Sequence, residues 1–255
     1  MSGSGSDGGV VVVFGASGGI GRQVCRRLNE QGHTLVMAAR HIDPLKELAA
    51  EIGNATPIEC DARDFDQVAG VFKQAGEIGN VVGAANLVGS ILLKPAHATS
   101  RDEFDETVGQ NLVSAFAVVR AGAKAMRQGG SIVLMGSSAG EIGITNHEAI
   151  AAAKAGVSGL ARSAAATYAP SVRVNCVAPG LVDTPLASGL TGSEAALEAS
   201  KAMHPLGRIG QPADIAPAIA WLLGPESSWV TGQTISVDGG MASVKPKVKV
   251  SAKAK

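Results

Sequence analysis

The run Phe14-Gly15-Ala16-Ser17-Gly18-Gly19-Ile20-Gly21-Arg22 lies between an unbroken apolar stretch, Val10–Phe14, and a segment of helical periodicity near Ile20–Gln31. Glycine at such a junction permits a tight turn and close backbone approach to an anion. The start of a helix adds free N–H groups and the positive end of its dipole. Gly15, Ser17, Gly18, Gly19, Ile20 and Gly21 are therefore the candidate cradle for a dinucleotide pyrophosphate. In a chain with 33 glycines a Gly-rich turn alone is weak evidence; its place between strand and helix strengthens it. Dinucleotide folds put an acid about 20 residues further on, to hold the ribose 2′-hydroxyl of NAD. Here the second apolar run ends Ala38-Ala39-Arg40, with no acid at its tip. A guanidinium there suits the 2′-phosphate of NADP, with Arg22 as a second cation. The alternative is an arginine simply solvated at a strand end.

Other constellations are weaker. Gly136-Ser137-Ser138-Ala139-Gly140 and Gly15-Ala16-Ser17-Gly18-Gly19 both match the hydrolase elbow Gly-x-Ser-x-Gly. Two hits in one glycine-rich chain show how cheap the pattern is, and no His-Gly-Gly-Gly oxyanion segment accompanies them. His147-Glu148 begins a His-Glu-x-x-His zinc motif, but residue 151 is alanine, so no metal site is expected.

The elements that must position these groups alternate along the chain. Strands are expected at Val10–Phe14, Thr34–Ala39, Thr56–Cys60, Val81–Ala85, Ser131–Met135, Val172–Val177 and Thr234–Val237. Helices are expected near Ile20–Gln31, Pro44–Ile52, Phe65–Gln74, Arg101–Met126, Glu148–Ala169 and Ala213–Leu223. The first strand shows no polar alternation, as in a strand covered on both faces. Repeated strand–helix–strand units predict an α/β fold, a Rossmann-like doubly wound parallel sheet in a single domain spanning 9–242. Residues 1–8 read as a flexible leader, about 185–206 as a mobile lid over the substrate, and 243–255 as a basic tail. The tail is either a solvated segment or a polybasic contact.

Composition narrows the function classes. Hydrophobic residues make up 45% and charged residues 17%, which excludes intrinsic disorder. Lysine and arginine balance aspartate and glutamate at 22 each, so no global field favours nucleic acid or an anionic membrane. No apolar run reaches the roughly 18 to 20 residues of a membrane span. Cys25, Cys60 and Cys176 are odd in number and widely spaced, which points to a reducing, cytoplasmic setting. Only eight residues are aromatic, and a single one is tyrosine.

Several separate motifs together resemble the short-chain dehydrogenase/reductase family over residues 9 to about 242. Gly15-x-x-x-Gly19-x-Gly21 resembles its glycine motif, and Cys60-Asp61-Ala62 its post-strand aspartate, which the resemblance places against the adenine. Asn86-Leu87-Val88-Gly89 is similar to Asn-Asn-Ala-Gly, keeping Asn86 and Gly89. Asn111 matches the helix asparagine that organises a proton-relay water. Ser131–Ser138 resembles the strand delivering the catalytic serine, here Ser137. Pro179-Gly180-Leu181-Val182-Asp183-Thr184 resembles the segment that touches the nicotinamide. Two C-terminal stretches, Pro205–Ile215 and Thr231–Gly240, also resemble family signatures. The resemblance implies a nicotinamide cofactor, hydride exchange with a carbonyl or alcohol, and a homo-oligomer, a tetramer or dimer, paired through the alanine-rich Glu148–Ala169 helix and its long neighbour.

The sequence departs from that family at its centre. The family motif is Tyr-x-x-x-Lys. Lys154 is present, and the resemblance gives it the nicotinamide ribose, but Ile150 stands where the tyrosine belongs. Tyr168 is 18 residues beyond Ile150, roughly 27 Å along a helix at about 1.5 Å per residue, and reads as packing. Isoleucine cannot protonate a developing alkoxide, and loss of a general acid typically slows such a reaction by about 10²–10⁴-fold. Three groups could substitute: His147 one turn earlier, which otherwise is a helix-start residue satisfied by backbone or water; Lys154 one turn later, directly or through water held by Asn111; and Ser137 as a hydrogen-bond donor. Three functions remain open: an NADP(H)-dependent oxidoreductase with an altered site acting on a small neutral or apolar molecule, a catalytically silent nucleotide-binding subunit or sensor, and a non-redox isomerase, cyclase or lyase on the same fold.

Overall fold

Val10–Phe14 (β1) is buried at all five positions. Val10, Val12 and Phe14 pack into one apolar layer while Val11 and Val13 pack into the other. A strand with both faces covered needs no polar alternation, and each such side chain contributes roughly 1.5–3 kcal/mol on burial. The computed structural model describes residues 8–245; nearly all of the expected leader and most of the basic tail lie outside the described residues. Around β1 the strands Thr34–Ala39 (β2), Ala55–Glu59 (β3), Val81–Asn86 (β4), Gly130–Met135 (β5), Val172–Pro179 (β6) and Thr234–Val237 (β7) form one parallel sheet. Its order is β3-β2-β1-β4-β5-β6-β7, the doubly wound arrangement expected.

Helices Gly19–Glu30 (α1), Asp43–Ile52 (α2) and Phe65–Ile78 (α3) follow the first three strands. Beyond β4 come Arg101–Val108 (α4), Ser114–Ala125 (α5) and Glu148–Tyr168 (α6), then Ser188–Thr191 (α7), Glu194–Met203 (α8) and Pro212–Leu223 (α9). The core layer holding Val12 and Phe14 takes in α3, α5 and α6, and the other takes in α1, α2 and α9. No helix among the described residues is long and apolar enough to cross a membrane.

The structure differs from expectation inside one helix and at several element ends. Helix Arg101–Met126 is not continuous: a π-type turn, Gly109–Val113, separates α4 from α5. There Asn111 Nδ2 donates to the Thr107 carbonyl at 2.9 Å and Ser114 Oγ to the Gln110 carbonyl at 2.7 Å. Side chains that bond carbonyls four residues back loosen the helical ladder. The third strand begins and ends one residue early, and β6 runs two residues further, to Pro179.

Candidate functional site

Strand order reverses at β1, with β2 on one side and β4 on the other, and such a switch point opens a crevice beyond the strand ends. Gly15 turns there with φ +75°, and a β-carbon on it would lie 2.9 Å from the Leu87 carbonyl carbon. A β-carbon at Gly21 would collide with the Gly15 carbonyl oxygen. Only glycine fits either position, so the loop and α1 are drawn close. Gly18 caps α1 without a side-chain hydrogen bond, which leaves the first-turn N–H groups for an anion. Thr184 closes this end: a β-carbon at Gly19 would lie 2.9 Å from Thr184 Cγ2. The glycine turn therefore faces an uncapped helix start whose first N–H groups have no side-chain partner.

Arg22 does not reach outward as a second cation. One turn into α1, its Nε donates to the Ser17 carbonyl at 3.1 Å and Nη2 to the Pro44 carbonyl at 3.4 Å, so it braces the loop instead. Arg40 is exposed at the end of β2 and forms no ion pair among the described residues. Nearby, Asp61 accepts from Arg63 Nη2 at 2.7 Å and from the Arg63 backbone N–H at 2.9 Å. The Arg63 hydrogen bond holds the Asp61 carboxyl below its ordinary range, and the Arg40 charge adds to this. Ala62 is buried beside it. Asn86 is buried too, with Nδ2 donating to Ser114 Oγ and Oδ1 accepting from the Val88 N–H. It shapes the turn after β4 from beneath.

Further along the crevice, α6 and the π-type turn bring Lys154 and Asn111 together. Lys154 is 6% exposed, and its Nζ donates to the Met135 carbonyl at 2.8 Å. Burial pulls its pKa down to about 8, with Cys176 acting in the opposite sense. Asn111 Oδ1 accepts from the Ser90 N–H at 3.3 Å while Nδ2 donates to Ser90 Oγ at 3.1 Å. A β-carbon at Gly89 would stand 2.8 Å from Asn111 Oδ1 and 3.4 Å from Lys154 Nζ. Glycine there keeps the ammonium and the amide open to one space. Gly180, Val182 and Ser137 line the same cleft, as does Ile150.

Ile150 is 4% exposed and lines both this cleft and an adjoining chamber of about 370 Å³. Ser137 and Pro179 likewise lie on the boundary. Ser137 Oγ accepts from the Ala139 N–H at 3.1 Å, so its own proton is free to donate. His147 lines the chamber just before α6, and its Nδ1 lies 2.8 Å from the Thr145 carbonyl. That carbonyl can only accept, which puts a proton on Nδ1 and turns Nε2 toward other partners. Residues 185–203 fold over the chamber as a short 3₁₀ turn followed by α7 and α8.

Two positioning devices escaped the sequence reading. Buried His204 accepts from the Leu181 N–H at Nε2, 3.1 Å away, and its Nδ1 lies 2.7 Å from the Ser200 carbonyl. It ties α8 to the segment after β6. Ser138 Oγ donates to Asp238 Oδ2 at 2.8 Å, and Asp238 also accepts from the Gly240 and Ala242 N–H groups. No local pattern links residues 100 positions apart. Among the described residues no group of three or more His, Cys, Asp or Glu side chains could hold a metal ion.

A parallel sheet with a glycine cradle at its switch point defines a Rossmann-type dinucleotide-binding fold. Comparison with known proteins specifies the class. A family model described as enoyl-(acyl carrier protein) reductase matches residues 15–242. The carbonyl reductase family member 4 of Danio rerio is 35% identical over 240 residues, covering 91% of this chain and 97% of that one. Cis-4-hydroxycyclohexanecarboxylate dehydrogenase of Sinomonas cyclohexanicum is 36% identical, covering 92% and 97%. A crystal structure of a point variant of actinorhodin polyketide ketoreductase with NADPH superposes with a TM-score of 0.88 at 28% identity, covering 92% and 98%. The chain belongs to the short-chain dehydrogenase/reductase family. It is by family a short-chain oxidoreductase, on a fold that binds a nicotinamide cofactor.

Proposed function

We propose that this chain is an NADP(H)-dependent oxidoreductase that moves a hydride between nicotinamide and a carbonyl or alcohol through an altered active site. The observation that carries the reading is the junction of cleft and chamber, where Lys154 and Asn111 meet Ser137 across Ile150. Gly15, Ser17, Gly18, Gly19, Ile20 and Gly21 would hold the pyrophosphate. Arg40 would face the 2′-phosphate, with Asp61 and Ala62 toward the adenine. Asn86 and Gly89 would shape the wall opposite Pro179, Gly180, Val182 and Thr184, and Lys154 would reach the nicotinamide ribose. A bound nicotinamide supplies or accepts the hydride.

The chain's own groups manage the proton. Ser137, with its Oγ proton free, donates a hydrogen bond to the substrate oxygen and stabilises the charge that develops there. His147 sits on the substrate side and delivers the proton to that oxygen. Thr145 holds its Nδ1–H, so the second ring nitrogen carries the exchanging proton. Lys154 and Asn111 sit on the cofactor side and hold a relay water.

The Ile150 position favours a second reading, a silent nucleotide-binding subunit. Titrating NADPH and NADH by fluorescence, then following NADPH consumption against a carbonyl panel, separates the two. Turnover by the native chain that disappears in His147→Ala with NADPH binding intact supports the enzyme. Binding without turnover, with activity arising only in Ile150→Tyr, supports the silent subunit. Absence of nucleotide binding defeats both.

We propose further that the protein is cytoplasmic and a homo-oligomer, a tetramer or dimer. In support of the oligomer, Phe65, Leu112, Phe116 and Leu160 line a shallow apolar groove with Gly156 and Gly159, and Phe116 is 48% exposed. Sedimentation of the purified chain tests it.

A further inference from the structure

No side chain of fixed charge lines the substrate chamber. Among the described residues that line it there is no lysine, arginine, aspartate or glutamate. Its walls are aliphatic and thioether groups from four parts of the chain: Ile91 and Leu93, Ile144, Leu190 and Met203 from the covering helices, and Met241. Ile150 completes the apolar surface at the cleft. Five polar side chains reach it, and two of them are committed elsewhere. Ser138 Oγ donates to Asp238, and both ring nitrogens of His204 are engaged by backbone. Lys154 lies in the adjoining cleft and does not line the chamber. That leaves the free proton of Ser137, the outer nitrogen of His147 and the Ser200 hydroxyl. At about 370 Å³ the chamber is near the lower end of the roughly 300–1,000 Å³ range of small-molecule sites.

We infer that the chamber selects an uncharged, lipophilic ketone or the matching secondary alcohol, carrying one polar function directed at Ser137 and no carboxylate or phosphate. The inference rests on the oxidoreductase reading of the same crevice. An ionised group carried into this space would lose hydration and find no lysine or arginine to pair with, whereas a methyl or ring carbon in the same place gains from burial. A carbonyl oxygen at the Ser137 end meets a donor, so the single polar atom of such a ligand is satisfied while the remainder is covered.

A matched pair of probes tests this on the full chain: 4-methylcyclohexanone and 4-oxocyclohexanecarboxylate, which share the ring and ketone and differ in one uncharged or anionic substituent. Calorimetric titration with saturating NADP+ measures binding of each ketone without hydride transfer, and NADPH consumption measures turnover separately. The neutral ketone should bind at least tenfold more tightly than the carboxylate. Met203→Arg puts a cation on the chamber wall at a side chain that is already 44% exposed, so the fold tolerates it. That variant should narrow the ratio at least tenfold. Equal or tighter binding of the carboxylate by the native chain overturns the inference, as does failure of both probes to bind or an unchanged ratio in Met203→Arg. Selective binding of the neutral ketone with no NADPH consumption leaves the chamber assignment standing and defeats the hydride-transfer reading instead.

Discussion

Replacing Arg40 with alanine isolates the group proposed to read the adenine ribose. Arg40 is exposed and makes no hydrogen bond or ion pair among the described residues, so its removal should leave stability unchanged. Two unit charges about 4 Å apart in water interact by about 1 kcal/mol. A phosphate monoester carries roughly −1.5 to −2 charge near neutral pH, so losing the guanidinium should weaken NADPH binding by about 1.5–2 kcal/mol, or about 10- to 30-fold. Arg63 cannot compensate, because Asp61 and Glu106 occupy its guanidinium at 2.7 and 2.6 Å. NADH lacks the 2′-phosphate and should bind within about twofold of its native affinity. The assay is nucleotide fluorescence on native and Arg40→Ala protein at low and high salt, since an exposed pair is screened over about 10 Å at 0.1 M. Equal weakening of NADPH and NADH, or tighter binding of NADH by the native chain, refutes the assignment.

Three further outcomes follow from buried groups. Lys154 has its pKa lowered to about 8 by burial, while an unfolded lysine titrates near 10.4. The unfolded chain thus binds more protons between those values, so stability rises with pH from about 8 to 10.4 and the full penalty applies below 8. Relative to Lys154→Met, the native chain should gain roughly 3 kcal/mol across that window, and parallel urea-unfolding curves at pH 7.5 and 10.5 would refute the buried ammonium. Ser138→Ala removes one of the three donors to buried Asp238 and should lower stability by about 1–3 kcal/mol, seen as a fall of several degrees in Tm. Ile150→Tyr should raise kcat for ketone reduction, by at most the roughly 10²–10⁴-fold that a general acid supplies and by less to the extent that His147 already donates. It should also raise KM for 4-methylcyclohexanone, because a hydroxyl replaces apolar wall; unchanged kcat and KM would count against the altered-site reading.

The parts of this molecule that recur locally were legible in the chain. The Val10–Phe14 run and its glycine turn announce a buried parallel strand feeding a helix, and the structure places both as expected. The break at Gly109–Val113 was not legible, since it depends on side chains of Asn111 and Ser114 choosing carbonyls within a segment of good helical periodicity. Arg22 departs from expectation for a related reason. Its position in sequence places it beside the cradle, but only the folded loop reveals the Ser17 and Pro44 carbonyls that engage it. His204 and Asp238 are isolated letters until α8 and the end of β7 bring them to Leu181 and Ser138.

Ile150 joins the two questions that the site raises. It lies where the cleft proposed for the nicotinamide opens into the chamber, so its side chain belongs to both surfaces. A phenol there would give Lys154 a neighbour able to pass a proton, and would also break the apolar lining at the point nearest the reacting oxygen. Isoleucine does the reverse on both counts. On the proposed reading the proton comes from a group that borders the chamber, as His147 does and Lys154 does not. Aliphatic and thioether groups predominate on the chamber walls, including Ile150 and Met203, which favours a largely apolar substrate. In the proposed reading, the missing acid and part of the chamber's apolar wall thus meet at one side chain.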